Sequence, residues 1–261
     1  MNPRPVVLVT GAARRVGRAI ALDLAHHGFD VAVHFHTSSQ EAQEVVAAAL
    51  AAGARAQAFA ADLAQEAAVR QLVTQVAESF GGLDAVVNNA SAFAYDDLES
   101  FSYRTLHEQI ATNTAAAVVL AQGLHRLKKS NAAPMAAAAC VINLLDQKLW
   151  NPNPDYFSYT LSKAALESAT TMLAQALAPL VRVCGVAPGV TLLSGDMSAQ
   201  EFDLAHRMTP LQRSSTPQDI AHSVRFLLQS PAITGTTLLV DGGQHLQGQS
   251  RDVMFLARGD Q

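Results

Sequence analysis

The sequence predicts an α/β fold in which a single doubly wound parallel sheet of about seven strands carries helices on both faces. Short runs rich in β-branched residues alternate along the chain with longer segments of helical spacing, the pattern of repeated strand–helix–strand units. The first run, Val6–Val9, is apolar at every position, as expected of a strand buried on both faces. Because no stretch rich in Gly, Ser or Pro divides the chain, we expect one domain over residues 1–261.

Each strand is predicted from a short run that ends in a turn or in polar residues. Val, Ile and Leu dominate these runs except in the third, which is rich in Ala and is the weakest of the set. The predicted strands are residues 6–10, 31–34, 54–59, 85–88, 141–144, 181–186 and 237–240.

The segments between the strands place apolar residues at intervals of three and four and are predicted as helices. The two longest are apolar and alanine-rich around most of their circumference, so they need burial on more than one side. The sheet can cover one side, and we expect another subunit to cover the other. The predicted helices are residues 16–27, 40–52, 66–80, 103–128, 156–177 and 217–228.

Composition excludes several classes of protein. Of the residues, 49% are hydrophobic and 15% are charged, and the net charge of −4 comes without a basic cluster, which argues against a nucleic-acid partner. No apolar run reaches the ~18–20 residues of a membrane span, and the N-terminus does not read as a secretory signal. Cys140 and Cys184 lie in apolar runs and are expected as buried free thiols in the cytoplasm. The histidines are scattered without metal-binding spacing, so no metal site is expected.

A glycine-bearing turn follows the first strand and opens the first helix. Gly11 permits a tight turn, Gly17 lets the helix pack close to the sheet, and the free N–H groups at the helix start can receive a pyrophosphate. The middle glycine of the usual pattern is absent, and Arg15 stands in its place. The turn therefore predicts a Rossmann-like dinucleotide site, the alternative being an ordinary strand–helix turn.

The end of the second strand favours NADP(H) over NAD(H). An acidic residue there would bind the ribose hydroxyls and repel a 2′-phosphate, and residues 34–38 contain none. Arg14 and Arg15 supply cations from the first turn, and Ser38 supplies a hydroxyl. His36 is either a ligand contact or a solvated loop histidine.

Tyr159 and Lys163 lie four residues apart at the start of a long helix and so share one face. An ammonium group close to the phenol is expected to lower its pKa, which suits a tyrosine that moves a proton while a hydride is transferred. Asp146, thirteen residues before Tyr159, ends the strand at 141–144 and is expected in the same cleft. The alternatives are a surface tyrosine and lysine, and a loop aspartate that caps the next turn.

These residues together resemble the short-chain dehydrogenase/reductase family over residues 6–245. The residues in the positions of the family's motifs are the turn at 10–17, Asn88-Asn89-Ala90, Asn113, Tyr159 with Lys163, and Pro188-Gly189. Most members carry serine where Asp146 stands. Aspartate at that position and arginine at the middle-glycine position resemble the pteridine reductase branch, as do His34-Phe35-His36 and Asn88-Asn89-Ala90-Ser91-Ala92-Phe93.

The resemblance implies a role for each site residue. Phe93 would stack on a pterin opposite the nicotinamide, Ser91 would contact cofactor or pterin, and Asn113 would hold a water in a proton relay. Lys163 would also bind the nicotinamide ribose, and Thr191 would lie near the carboxamide. Asp62 and Leu63 would contact the adenine. The other implied cofactor contacts are Gly11, Arg14, Arg15, Val16, His36, Thr37, Ser38, Asn89, Ala90, Ser91, Tyr159, Lys163, Pro188, Gly189 and Thr191.

The expected activity is an NADPH-dependent reduction of a C=N bond in a pterin or dihydrofolate-type substrate. Asp146 and Tyr159 would carry the proton, and Lys163 would support Tyr159. One alternative is a carbonyl or 3-oxoacyl reductase that acts on a ketone, and another is a non-catalytic NADP-binding module. The sequence departs from the branch at Thr37, where arginine is frequent, and the substrate-covering loop at about 190–212 matches no one specificity.

The resemblance further implies a homotetramer. The C-terminal tail, about 246–261, is polar apart from the apolar patch 253–256. We expect that patch either to dock on a neighbouring subunit or to be a frayed end.

Overall fold

The computed structural model describes residues 4–130, 138–193 and 197–259. Within them, seven strands form one sheet in the order β3-β2-β1-β4-β5-β6-β7, and all of the pairings are parallel. The predicted doubly wound α/β fold is therefore confirmed. The strands are β1 Val6–Val9, β2 Asp30–Phe35, β3 Ala56–Ala60, β4 Ala85–Asn88, β5 Ala139–Leu144, β6 Val181–Pro188 and β7 Thr237–Val240.

Helices cover both faces of the sheet. Side chains of α1, α2 and α8 bury one face, and side chains of α3, α5 and α6 bury the other. Because both faces of the sheet are covered, central strands such as β1 are buried at every position. This burial explains the continuous apolar sequence of those strands. The helices in the described part of the chain are α1 Arg15–His26, α2 Ser39–Ala51, α3 Glu66–Phe80, α4 Tyr103–Ile110, α5 Ala116–Ser130, α6 Phe157–Leu177, α7 Ala199–Arg207, α8 Pro217–Gln229 and α9 Val253–Arg258.

The strand order reverses beside β1. Leu8 of β1 pairs with Ala32 of β2 on one side and with Val86 of β4 on the other. The crossovers that leave β1 and β4 therefore lie on opposite sides of the sheet, and a crevice opens beyond the carboxyl ends of these strands. This crevice is where the predicted site residues should gather.

Two predicted elements differ from the structure in kind. The helix predicted at 103–128 is interrupted by a π-helical turn at Ala111–Ala115, which separates α4 from α5. The predicted loop at 190–212 contains α7, which begins at a capping box between Ser198 and Glu201. Residues 194–196 of that loop lie outside the described residues. The other predicted boundaries agree with the structure to within two residues.

The C-terminal tail is not a frayed end, and its docking on a neighbouring subunit stays a prediction. Residues of the apolar patch form α9, which packs against α7 of the same chain, and Arg258 Nε lies 3.1 Å from Glu201 Oε1. Asp252 caps this helix by accepting a hydrogen bond of 3.1 Å from the Met254 N–H. The tail is therefore folded back onto its own subunit, while residues 260 and 261 lie outside the described residues.

Cys140 and Cys184 are buried free thiols, as predicted. Among the described helices, none is long and apolar enough to cross a membrane.

Candidate active site

The turn after β1 needs both of its glycines. Gly11 has φ of +61°, and a Cβ built on it would lie 3.0 Å from the Ala90 Cα. A Cβ on Gly17 would collide with the Gly11 carbonyl oxygen. The first glycine therefore supplies a left-handed backbone conformation and the second allows close helix packing, the two roles predicted from the sequence.

His34 ties this turn to the neighbouring strands. The Gly11 N–H donates to His34 Nδ1 over 3.0 Å, and Nε2 lies 3.1 Å from the Ala61 carbonyl oxygen. Burial lowers the pKa of His34 to about 4, so the neutral ring carries its proton on Nε2. In the sequence His34 stands out only as part of a family motif. The signal for this structural role was a lone histidine in an otherwise apolar strand.

The residues predicted for the adenosine half lie beyond β2 and β3, as the sheet order requires. His36 and Thr37 are exposed, Ser38 is half-buried, and Leu63 is buried. Asp62 Oδ1 accepts a hydrogen bond of 2.9 Å from the Ala64 N–H. The Arg14 guanidinium is hydrogen-bonded to Glu41. The Arg14 side chain is therefore already paired in this structure.

A cleft of about 690 Å³ opens at the switch point. It is lined on one side by the glycine turn and on the other by Asp146, Tyr159 and Phe93. The predicted residues that it brings together are Gly11, Arg14, Arg15, Val16, Asn89, Ala90, Ser91, Phe93, Asp146, Tyr159, Gly189 and Thr191. Behind its surface lie Lys163, Asn113 and Pro188, and the residues beyond β2 and β3 lie apart from it.

Asp146 and Tyr159 contact each other inside this cleft. Tyr159 Oη donates a hydrogen bond of 2.9 Å to Asp146 Oδ2, while Asp146 Oδ1 accepts one of 2.9 Å from the Lys148 N–H. Burial raises the pKa of Asp146. The predicted juxtaposition of carboxyl and phenol is present, and both readings of Asp146 hold, because the same side chain also caps the following 3₁₀ turn.

The predicted lowering of the Tyr159 pKa by Lys163 is wrong for this structure. Burial and the adjacent Asp146 carboxyl raise the pKa of Tyr159 well above its usual value. Lys163 Nζ donates to the Leu144 carbonyl oxygen over 2.7 Å and lies 5.7 Å from the Tyr159 ring centroid, and burial lowers its own pKa to about 8. The four-residue spacing does place the two on one helix face, but the carboxylate is the nearer charge.

Asn113 holds the loop that follows β4. Its Oδ1 accepts from the Ala92 N–H at 2.7 Å and the Ser91 hydroxyl at 3.1 Å. Its Nδ2 donates to the Ala92 carbonyl oxygen at 3.0 Å and to Ser162 Oγ at 2.8 Å. Both amide hydrogens are engaged, and the implied role of holding a water stays a prediction.

Phe93 contributes an aromatic side chain to the cleft. The residue is 49% exposed, its ring stacks on Tyr156 at a centroid distance of 4.4 Å, and it makes a T-shaped contact with Tyr159 at 4.7 Å. The exposed part of this side chain is available to a planar ligand. Thr191 lies across the cleft, where its hydroxyl is within 2.7 Å of Ser215 Oγ.

Sequence reasoning missed several residues of the cleft. Gln147 is buried beside Asp146, and its Oε1 accepts no hydrogen bond from the described residues. Lys148 is a buried cation, and the only sequence signal for either residue was adjacency to Asp146. The further lining residues are Tyr156, Val190, Leu192, Met197, Gln244, Asp252, Val253 and Met254.

Comparison with known proteins agrees with this geometry. Residues 11–245 match the family described as enoyl-(acyl carrier protein) reductase. A curated relative, the 3-oxoacyl-[acyl-carrier-protein] reductase FabG of Staphylococcus epidermidis, is 33% identical over 92% of this chain and 98% of its own length.

Two solved structures are similar in fold and sequence. The FolM alternative dihydrofolate reductase 1 of Brucella canis, complexed with NADP, has a TM-score of 0.89 and 38% identity over 97% of this chain and 98% of its own. A short-chain dehydrogenase of Burkholderia cenocepacia, also in complex with NADP, has a TM-score of 0.82 and 34% identity over 92% and 97%. With the sheet order, the glycine turn and the Tyr159–Lys163 pair, these similarities establish that the chain belongs to the short-chain dehydrogenase/reductase family.

Proposed function

We propose that the protein is an NADPH-dependent reductase that acts on a C=N bond of a pterin or dihydrofolate-type substrate. The observation that carries the proposal is the hydrogen bond of 2.9 Å between Tyr159 Oη and Asp146 Oδ2 in a cleft that also contains Phe93. A carboxyl group with a raised pKa is an acid suited to a ring nitrogen, whereas a hydroxyl suffices for a carbonyl oxygen.

The residues present fit NADP(H). The glycine turn lines the cleft, and the end of β2 offers His36, Thr37 and Ser38 without an acid. Two similar structures contain NADP, which supports the same cofactor here. We propose that Gly11, Arg14, Arg15 and Val16 hold the phosphates, with Ser38 and His36 at the 2′-phosphate and Asp62 and Leu63 at the adenine. Asn89, Ala90, Pro188, Gly189, Thr191 and Lys163 would hold the nicotinamide half.

NADPH, when bound, supplies the hydride that reduces the C=N carbon. The chain must then supply one proton to the nitrogen. Each oxygen of Asp146 already accepts one hydrogen bond, from Tyr159 and from Lys148, so a proton on this carboxyl lies on a remaining lone pair. We propose that this proton passes from Asp146 to the substrate and is replaced from solvent, with Tyr159 orienting the carboxyl.

The substrate side favours a planar ring that carries N–H groups. The partly exposed aromatic side chain of Phe93 suits an aromatic ring, and Ser91 lines the same cleft. Oε1 of Gln147, which accepts no hydrogen bond within the described part of the chain, is a buried acceptor next to Asp146, and a bound N–H donor would satisfy it.

A ketone substrate is the second candidate, and the similarity to FabG favours it. In that reaction Tyr159 would protonate a carbonyl oxygen, with Asp146 incidental. The test is NADPH oxidation with dihydrobiopterin, dihydrofolate and a panel of ketones, comparing the wild type with Asp146→Ser. We expect turnover of the reduced pterin or folate that collapses in the variant, with NADPH binding unchanged. Turnover of ketones alone, or unchanged pterin turnover in the variant, would overturn the proposal.

A further inference from the structure

The C-terminal segment forms one wall of the cleft. Asp252, Val253 and Met254 line it opposite the glycine turn, and Met254 packs in a buried cluster with Tyr156, Tyr159 and Met197. Tyr159 orients the proposed acid Asp146, so this cluster brings the tail into contact with the reacting end of the site.

The buried carboxylate of Asp155 holds this segment in place. Asp155 is 3% exposed and accepts hydrogen bonds from Arg251 Nε at 2.9 Å and Arg251 Nη2 at 3.0 Å, one on each oxygen. It also accepts one of 2.7 Å from the Asp252 N–H. Two-point pairing of arginine with a carboxylate constrains both position and orientation. Asp155 and Arg251 are 96 residues apart in the chain, so the pair joins the loop before α6 to the start of the tail.

Lys148 joins the same segment to Asp146. Its backbone N–H donates to Asp146 Oδ1 at 2.9 Å. Its buried ammonium donates to the Asp155 carbonyl oxygen at 2.5 Å and lies 3.4 Å from Asp252 Oδ2. Lys148 thus contacts the proposed acid Asp146 through its backbone N–H and the tail residue Asp252 through its ammonium group.

We propose that residues 251–254 form part of the substrate-binding site. Arg251 and Lys148 are positioning residues that hold Asp252 and Met254 against the cleft. The inference rests on the proposed function only in placing the substrate in this cleft. Met254 has a flexible, polarisable thioether that can adapt to the face or edge of a planar ring, so it is the specificity-determining member of the segment.

Charge provides a second readout. The groups that face Asp146 are Tyr159 and Lys163 from α6, Lys148 from its own turn, and Asp252 from the tail. After burial, the Asp252 charge raises the pKa of Asp146, and the Lys148 ammonium lowers it. Removing either charge should move this pKa, in opposite directions, whereas a purely structural defect would lower activity without that signature.

The first experiment compares Arg251→Gln with Arg207→Gln, an arginine of an exposed ion pair with Asp203 on α7. We expect KM to rise roughly tenfold in Arg251→Gln, as loss of part of a buried methionine contact implies. KM should stay unchanged in Arg207→Gln, and the Kd for NADPH should stay unchanged in both. Met254→Ala, which leaves the Asp155–Arg251 ion pair intact, should raise KM similarly. KM values within twofold of wild type for both Arg251→Gln and Met254→Ala would overturn the proposal.

The second experiment records kcat/KM against pH for Asp252→Asn and Lys148→Met. The midpoint at which activity falls with rising pH should move down in the first and up in the second. Shifts in one common direction, or none, would contradict the assigned roles. Both experiments use whichever substrate the wild type turns over. If only ketones are reduced, the proposed function fails while the KM comparison still decides the role of the tail.

Discussion

Asp146 and Tyr159 share a hydrogen bond of 2.9 Å in which the phenol is the donor and the carboxyl the acceptor. Burial raises the pKa of both groups, and the Asp146 carboxyl raises the pKa of Tyr159 further, while the hydrogen bond that Tyr159 donates offsets part of the rise at Asp146. The carboxyl is the stronger acid of the two, so it titrates first. The pair can therefore hold a proton on a carboxyl at pH values where an exposed aspartate has lost it.

The pH dependence of activity should report this proton. If protonated Asp146 is the acid, kcat/KM falls as pH rises through its pKa, which lies above the ordinary value of 3.8. Asp146→Asn should lose this transition, and its kcat/KM should be lower than that of the wild type by ~10²–10⁴-fold, the usual contribution of a general acid. The measurement is a pH–rate profile with the reduced pterin at saturating NADPH.

Asp203→Asn is the matched control for that substitution, since Asp203 is an exposed residue of α7. We expect its profile to match that of the wild type. A profile of Asp146→Asn that still falls at the wild-type midpoint would assign the transition to another group.

Much of this site was predictable because the sequence pattern locates the ends of the strands, and ligands bind beyond the carboxyl ends of a parallel sheet. Asp146 follows an apolar strand, and Tyr159 opens the helix after it, so a parallel sheet brings both to one edge. The sign of the Tyr159 pKa shift was not predictable, since it depends on burial and on which charge is nearer. Spacing alone placed Lys163 on the right face but not at the right distance.

The tail could not be placed by the same reasoning. Its position depends on Arg251 finding a carboxylate 96 residues earlier, and short-range periodicity carries no information about such a pairing. The buried lysine at 148 was also hidden, because its partners are a backbone carbonyl at Asp155 and a carboxylate at Asp252.

Replacing Gly17 with alanine should damage cofactor binding. The added Cβ meets the Gly11 carbonyl oxygen and the Asn89 amide, so the turn must shift. We expect weaker NADPH binding and a loss of ~1–3 kcal/mol of stability, as overpacking usually costs. Fluorescence titration with NADPH and denaturant unfolding measure the two effects.

Gly248→Ala serves as the control for that change. Apart from Gly248 and its two chain neighbours, no described residue has an atom within 4 Å of a Cβ built at Gly248. Equal effects of the two substitutions would mean that the loss is not due to crowding of the turn.

His34 should make the protein sensitive to mild acid. Its folded pKa of about 4 lies below the unfolded value of 6.5, so the neutral ring stabilises the fold above pH 6.5 and the contribution is lost as pH falls towards 4. Between pH 7 and pH 5 the expected loss is about 2 kcal/mol. Urea unfolding at both pH values in the wild type and in His34→Gln checks this.

Gln at position 34 keeps an amide oxygen for the Gly11 N–H and an N–H group for the Ala61 carbonyl, but it does not titrate. The acid-dependent part of the stability loss should therefore be smaller in His34→Gln by about the same amount. Parallel curves for the two proteins would assign the acid sensitivity to other groups.

The predicted homotetramer can be tested through the apolar surface of α4 and α6. Tyr103 is 77% exposed and Met172 is 61% exposed in the single chain. Apolar side chains on adjacent helices are expected to lie in a subunit interface, because isolated monomers rarely leave large apolar patches uncovered. Light scattering after size exclusion should give the mass of four chains for the wild type.

Met172→Lys should dissociate the assembly, since it places a charge in that interface. Leu50→Lys, at a residue of α2 that is 53% exposed on a different helix, should leave the mass unchanged. A wild-type protein that stays monomeric at all concentrations would contradict the prediction, and so would dissociation by both substitutions alike.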